Sequence, residues 1–306
     1  MMATIETAQH RAELGAPSRD ATAPAAAAKA DLHGNAGAVR RLPRIQPGLL
    51  LAYLILALAV LWALFPGIFT IYDPIQGLPG QHLRQPSAAH LLGTDSLGRD
   101  LYARIVYGAV HSLSGALAAV GIALVAGTVL GVLAGSLGGR AETVIMRLVD
   151  VMLSIPDLLL SLSIIVLLGF GTVNAAIAVG CTLIAKFARL VRSEVVTVRR
   201  SEYVEAAFGS GGTFLKVLWR HILPNSLTSV IAFAALQAGW AILQLATLGF
   251  LGYGAPPPTP EWGLLIAEGR NYIATAWWLT AAPGLVVVLV VISINRISRA
   301  IGSIGK

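Results

Sequence analysis

The 306-residue sequence predicts an all-α, polytopic membrane protein with six transmembrane helices. Three observations carry that reading. Mean hydropathy is +0.75 and only 12% of residues are Asp, Glu, Lys or Arg, against about 25% in soluble globular domains. Several apolar runs reach the ~20 residues that a helix needs to cross a hydrocarbon core of about 30 Å. The basic residues are also divided unequally between alternate loops, which is the orienting signal of a multi-pass chain.

Taken in order, residues 1–46 are polar and Ala-rich, lack a signal-peptide pattern and read as a flexible cytoplasmic tail. The segment 47–70 holds the first span, "LLLAYLILALAVLWALFPGIF" at 49–69. Residues 71–111 read as an extracytoplasmic loop and entrance helix. In its turn-rich "GTDSLGRD", Asp95 and Ser96 are suited to capping a helix over 97–108. The core, 112–297, holds spans at 113–137, 148–170, 173–191, 227–251 and 276–294, and residues 298–306 form a cytoplasmic C-terminus. Of the 22 Lys and Arg, only Arg84, Arg99, Arg104 and Arg270 fall on the outer side of this arrangement. Both termini are therefore expected in the cytoplasm.

Gly127, Gly131 and Gly135 repeat G-x-x-x-G on one face of the second span, where small residues let helix backbones approach closely in lipid. Packing within the chain is the simpler reading; contact with a second membrane subunit is the other. Trp262, Tyr272, Trp277 and Trp278 read as an interfacial aromatic belt. Asp150 is placed to pair with Arg147 at i,i+3, and Lys186 and Arg189 to snorkel toward the cytoplasmic interface. Asp157, Gln237 and Gln244 are the candidates for lining a pathway, with a local hydrogen bond the competing role for Asp157. The single Cys181 excludes disulfides and Cys-based metal sites within the chain, and no metal site is expected.

One polar stretch interrupts the apolar pattern: "EYVEAAFGSGGTFLKVLWRHILPN", 202–225. Charged sequence of this length cannot face hydrocarbon and must protrude. The spacing predicts a helix over 192–208, with Arg199 and Glu202 paired, and a reversal at "GSGG", where glycines take positive φ readily. A second short helix, capped by Thr213, is expected to end before Pro224. On a helical wheel Thr213, Lys216 and Arg220 fall opposite Phe214, Leu215, Leu218, Trp219, Ile222 and Leu223, so this helix is expected to lie along the inner membrane surface. The glycine cluster is not a phosphate loop: it lacks the Gly-Lys-Ser/Thr ending and no strand precedes it.

The spacing of "EAA" to Gly211 and on to "HILPN" resembles the EAA loop of ATP-binding-cassette importer permeases. "HLLGTDSLGRDLYARIVYGA" (90–109), "MRLVDVMLSIPDLLL" (146–160) and "LGFLGYGAPPPTPEWGLLIAEGRNYIATAWWLTAAPG" (248–284) narrow the resemblance to the C-type subunit of dipeptide/oligopeptide importers, a subfamily that also handles nickel. It spans roughly residues 90–295 and implies the type I importer permease fold. It also implies a second, similar permease, one or two cytoplasmic ATPase subunits carrying the ATP and magnesium, and an extracytoplasmic binding protein. No cofactor and no nucleic acid are implied for this chain, whose non-protein partner would be membrane lipid. Within the loop at 192–226, Glu205, Ala206, Ala207 and Gly211 match the motif. Gly212, Thr213, Lys216, His221, Pro224 and Asn225 complete the expected ATPase contact. Gly209 departs from the pattern, standing where helix formers are common, and is expected to loosen the helix before the reversal.

Two other classes are disfavoured. An intramembrane zinc protease needs H-E-x-x-H, which is absent, and the six His, at 10, 33, 82, 90, 111 and 221, lie outside the deep spans. A secondary transporter would show inverted repeats and several paired intramembrane charges, a pattern not evident here.

Overall fold

The computed structural model describes residues 47–304; the N-terminal tail, with its basic residues, lies outside them. Eleven α-helices follow one another: α1 (Pro47–Leu64), α2 (Pro66–Phe69), α3 (Leu101–Leu137), α4 (Gly139–Ser154), α5 (Asp157–Leu168), α6 (Thr172–Arg199), α7 (Glu202–Gly209), α8 (Phe214–Val217), α9 (Leu223–Phe250), α10 (Trp262–Gly269) and α11 (Trp278–Ile304). Among the described residues five helical stretches are long and apolar enough to span a membrane, six if the bent pair α4–α5 is one span. Large apolar side chains such as Leu50, Leu54, Leu117, Val125 and Leu167 are exposed on the outside of the bundle, where lipid replaces water as solvent.

The closest packing is between α3 and α6, and the three glycines make it possible. A Cβ on Gly127 would lie 2.4 Å from Phe187 Cβ, one on Gly131 2.6 Å from Val191 Cβ, and one on Gly135 2.8 Å from Val195 Cγ1. The G-x-x-x-G face is thus occupied by the chain's own α6. Helix α1 lies on α11 and α3, and α9 packs on α11, α3 and α6.

Four expectations about the spans are corrected. The entrance helix and the second span are one continuous helix, α3, which begins at Leu101. Its N-cap is Asp100, which accepts from Ala103 N–H at 2.7 Å, so neither Asp95 nor Ser96 caps it. The third span is broken: α4 and α5 meet at 97°. The cause is local, because Pro156 forbids the helical conformation to Ile155, which is extended at φ −92°, ψ 132°. Trp262 and Trp278 do not form an interfacial belt; they are buried in the core, whereas Trp277 is exposed.

The return after α9 brings α10 back onto α3, α9 and α11. Trp262 Nε1 donates to the Ile105 carbonyl at 3.0 Å. Gly249 and Gly263 permit the approach, since a Cβ at either would fall within 2.3 Å of Glu261 Oε2 or the Ala246 carbonyl.

Candidate functional site

The protruding segment is built by two helix ends and a reversal. Helix α6 stops at Arg199, and Arg200–Ser201 form a turn before α7, so the helix expected over 192–208 is interrupted. Arg199 does not pair with Glu202; its Nη1 donates to the Ser136 carbonyl at 2.8 Å and ties the ends of α6 and α3 together. Glu202 and Glu205 sit in the first turn of α7, where negative charge complements the helix dipole. Val204 is the buried anchor of this helix, while Glu205 and Ala206 are exposed and Ala207 is half-buried against the core.

The reversal depends on two glycines in different ways. Gly211 has φ +84°, and its N–H donates to the Phe208 carbonyl at 3.0 Å. Gly212 donates to the Ala207 carbonyl at 3.1 Å, and a Cβ there would lie 2.6 Å from that same oxygen. Gly209 requires neither: it ends α7 with ordinary φ, and an added Cβ would meet nothing within 4 Å. Helix α7 thus runs through Gly209 to the reversal without a break.

Thr213 takes the N-cap position of α8 without a side-chain cap bond. The second helix does not end before Pro224. It runs through a π-helical turn, Leu218–Ile222, directly into α9. Pro224 lacks an N–H and its ring crowds the carbonyl four residues back, and the widened turn just before it accommodates that. Asn225 Nδ2 donates to the His221 carbonyl at 2.7 Å and Ser226 Oγ to that of Ile222 at 2.9 Å. The expected wheel is also redrawn: Val217, Leu218 and Ile222 are buried, whereas Leu215 and Trp219, with Lys216 and Arg220 beside them, are exposed. Phe214 is at the edge. This is a helical end continuous with a span rather than a helix lying on the membrane. The His221 ring lies 6.5 Å from that of Tyr203, which holds α7 beside the π turn.

The charged residues of the spans are paired differently from expectation. Asp150 is bonded to Arg189 and not to Arg147, and Asp157 to Lys186. Lys186 and Arg189 therefore do not simply snorkel. Gln244 donates to Ser161 Oγ at 3.3 Å, joining α9 to α5, and Gln237 is buried on α9. Asp157 and Gln244 thus make helix-to-helix contacts, at separate points along α5.

At the opposite end of the bundle, residues 71–100 fold into successive turns that close on α3. Asp95 accepts from Arg99 Nε and Arg104 Nη1, each at 2.6 Å. Burial by itself would raise the Asp95 pKa, but the Arg99 N–H, the Arg99 and Arg104 guanidinia and the Leu97 N–H together hold it below its ordinary value. His90 Nδ1 lies 2.9 Å from Asp100 Oδ2.

Glu261 was not singled out by the sequence. It caps α10, accepting from Gly263 and Leu264 N–H at 2.9 and 3.0 Å. Burial pushes its pKa up, against the pull of those two bonds and of Ser112. The available signal is a carboxylate directly before "WGLLIAEG", an N-cap position.

Residues 127–303 match the family described as binding-protein-dependent transport system inner membrane component. The chain belongs to this family. It is 42% identical over 241 residues to the probable D,D-dipeptide transport system permease protein DdpC of Escherichia coli (strain K12), covering 79% of this chain and 81% of that protein. It is 42% identical over 254 residues to the di/tripeptide transport system permease protein DppC of Pseudomonas aeruginosa (strain UCBPP-PA14), covering 81% and 84%. A chain of the MetNI methionine ABC transporter, solved in inward facing conformations, superposes with a TM-score of 0.54 at 19% identity over 65% of this chain and 96% of its own; that likeness concerns the fold. As a member of the family, this inner membrane component is a multi-pass transport subunit and not an enzyme.

Proposed function

We propose that this family member is the permease subunit of an ATP-binding-cassette importer of short peptides, and that residues 200–225 are its contact with a cytoplasmic ATPase. The observation that carries the reading is the exposed reversal at Gly211, with Glu205 and Ala206 on one arm and Lys216 and Trp219 on the other. The second arm runs without a break into α9 and the first is joined to α6 by the turn at Arg200–Ser201, so displacement of the reversal has a route into the bundle. Peptide cargo is supported by the names of the relatives, which are peptide permeases; nickel is not favoured by them. The ATP and magnesium belong to partner ATPase subunits, which dock on the cytoplasmic side together with those of a second permease. An extracytoplasmic binding protein delivers the peptide, and both termini of this chain lie in the cytoplasm.

The test is reconstitution of this chain with its partner subunits in liposomes. The isolated chain is expected to hydrolyse no ATP. In the assembly, Glu205→Lys and Gly211→Arg should each abolish most ATP-driven peptide uptake. Unchanged uptake and assembly in both variants would overturn the coupling role. Orientation is read separately: a cysteine replacing Thr213, in a Cys181→Ala background, should react with membrane-impermeant reagent only from the cytoplasmic side.

A further inference from the structure

The two helices that flank the reversal meet again inside the bundle, and the broken span joins them there. Lys186, on α6, donates to Asp157 Oδ2, and its ammonium lies 5.3 Å from the centre of the Trp240 ring on α9. Asp157 is the first residue of α5, immediately after the Ile155–Pro156 break where the third span turns by 97°. Lys186, carried by the helix that leads from one arm of the reversal, therefore touches the helix that leads from the other and the bend of a third element.

Lys186 also heads a series. Arg189 and Arg192 follow it at three-residue intervals along α6, and each pairs with an acid of α4: Arg189 with Asp150, and Arg192 with Glu142, whose Oε1 is 2.8 Å from Arg192 Nε. The Lys186–Asp157 pair is the more enclosed, with side chains 27% and 22% exposed against 54% and 56% for Arg189 and Asp150. A charge within a membrane-spanning helix is costly unless paired, and loss of one partner leaves the other uncompensated.

We propose that the Lys186–Asp157 pair, seated against Trp240, is the positioning contact through which displacement of the reversal reaches the hinge at Ile155–Pro156. The proposal rests on the coupling role given above. Lys186 acts here through α5 and not by touching cargo.

The test uses the full assembly in liposomes, with Ala-Ala as the transported probe and ATP hydrolysis measured in the same vesicles. Asp157→Asn and Lys186→Gln should lower Ala-Ala moved per ATP by about three- to tenfold while hydrolysis continues. Asp157→Glu should recover part of the loss, and the exchange Asp157→Lys with Lys186→Asp should restore the ratio. A purely structural pair would change assembly yield and leave the ratio unmoved. An unchanged ratio in the single variants, or an exchange that restores assembly without the ratio, would overturn the proposal. If the single variants do not assemble, Trp240→Leu, which removes the aromatic ring facing Lys186, decides it: the ratio should fall, and an unchanged ratio is the refuting result. Failure of the wild-type assembly to import Ala-Ala would instead refute the peptide reading. The contact is then judged by whether the same variants lose binding-protein stimulation of ATP hydrolysis.

Discussion

Arg104 Nη1, on a fully buried side chain of α3, lies 3.0 Å from Glu268 Oε2 at the end of α10. The same nitrogen bonds Asp95 of the 71–100 loop, and Arg99 reaches both acids, Asp95 at 2.6 Å and Glu268 at 3.3 Å. Two guanidinia and two carboxylates thus lock the 71–100 loop and α10 to the start of a spanning helix.

Removing the central cation should therefore loosen three elements together. Arg104→Met leaves the buried Asp95 and the partly exposed Glu268 sharing Arg99, and a broken buried pair costs about 3–5 kcal/mol. The expected outcome is a lowered Tm in detergent and faster proteolytic cleavage within residues 77–100. Arg104→Lys, which keeps the charge but loses the planar fork, should fall between the two.

Acid should release the same loop through Asp95. Its folded pKa is held below the ordinary 3.8, so its stabilising contribution is fully present above the unfolded value. It is lost as pH falls through the lower, folded value. Hydrogen-exchange protection factors in residues 93–100 should stay level from about pH 7 to 5 and fall below about pH 4. Asp95→Asn should remove that acid step and show raised exchange at neutral pH.

The α3–α6 seam should reject even one methyl. Gly131→Ala would place a Cβ 2.6 Å from Val191 Cβ and 2.7 Å from the Ala188 carbonyl, which costs about 1–3 kcal/mol as overpacking. Gly121→Ala, on the same helix with nothing within 4 Å, should be neutral or stabilising. Thermal unfolding of the two variants in one detergent separates them.

The two glycines near the reversal should behave oppositely. Gly211→Ala forces a Cβ into φ +84°, at a cost of about 1–2 kcal/mol, and should reduce coupled uptake. Gly209→Ala, which fits an ordinary helical residue, should be tolerated or gain about 0.5–1 kcal/mol. Equal loss of uptake in both would contradict this account of the turn.

Much of this architecture was legible in the chain because membrane helices are read one at a time. Apolar length places the spans, the Lys and Arg asymmetry predicts their orientation, and the spacing from "EAA" to Gly211 and Pro224 marks the protruding segment. The G-x-x-x-G face likewise announces a close contact, though not which helix will fill it. The site was less legible wherever its geometry depends on a neighbour. Asp150 has Arg147 one turn away in sequence, yet bonds Arg189 on another helix. The amphipathic wheel of 213–223 assumes an isolated helix, whereas the π turn joins it to α9 and buries Val217 and Ile222 instead.

By itself, then, the sequence determined the membrane class, the approximate place of the apolar spans and the polar segment that interrupts them, since those follow from transfer free energies and local conformational limits such as glycine at 211; the break at Pro156, inside the span read as 148–170, emerged only in the structure. Only the tertiary structure decided the pairings, because an ion pair or a glycine contact is settled by which surfaces meet. Lys186 with Asp157, Arg104 with Glu268, and Gly131 with Val191 each join residues that nothing local in the chain connects.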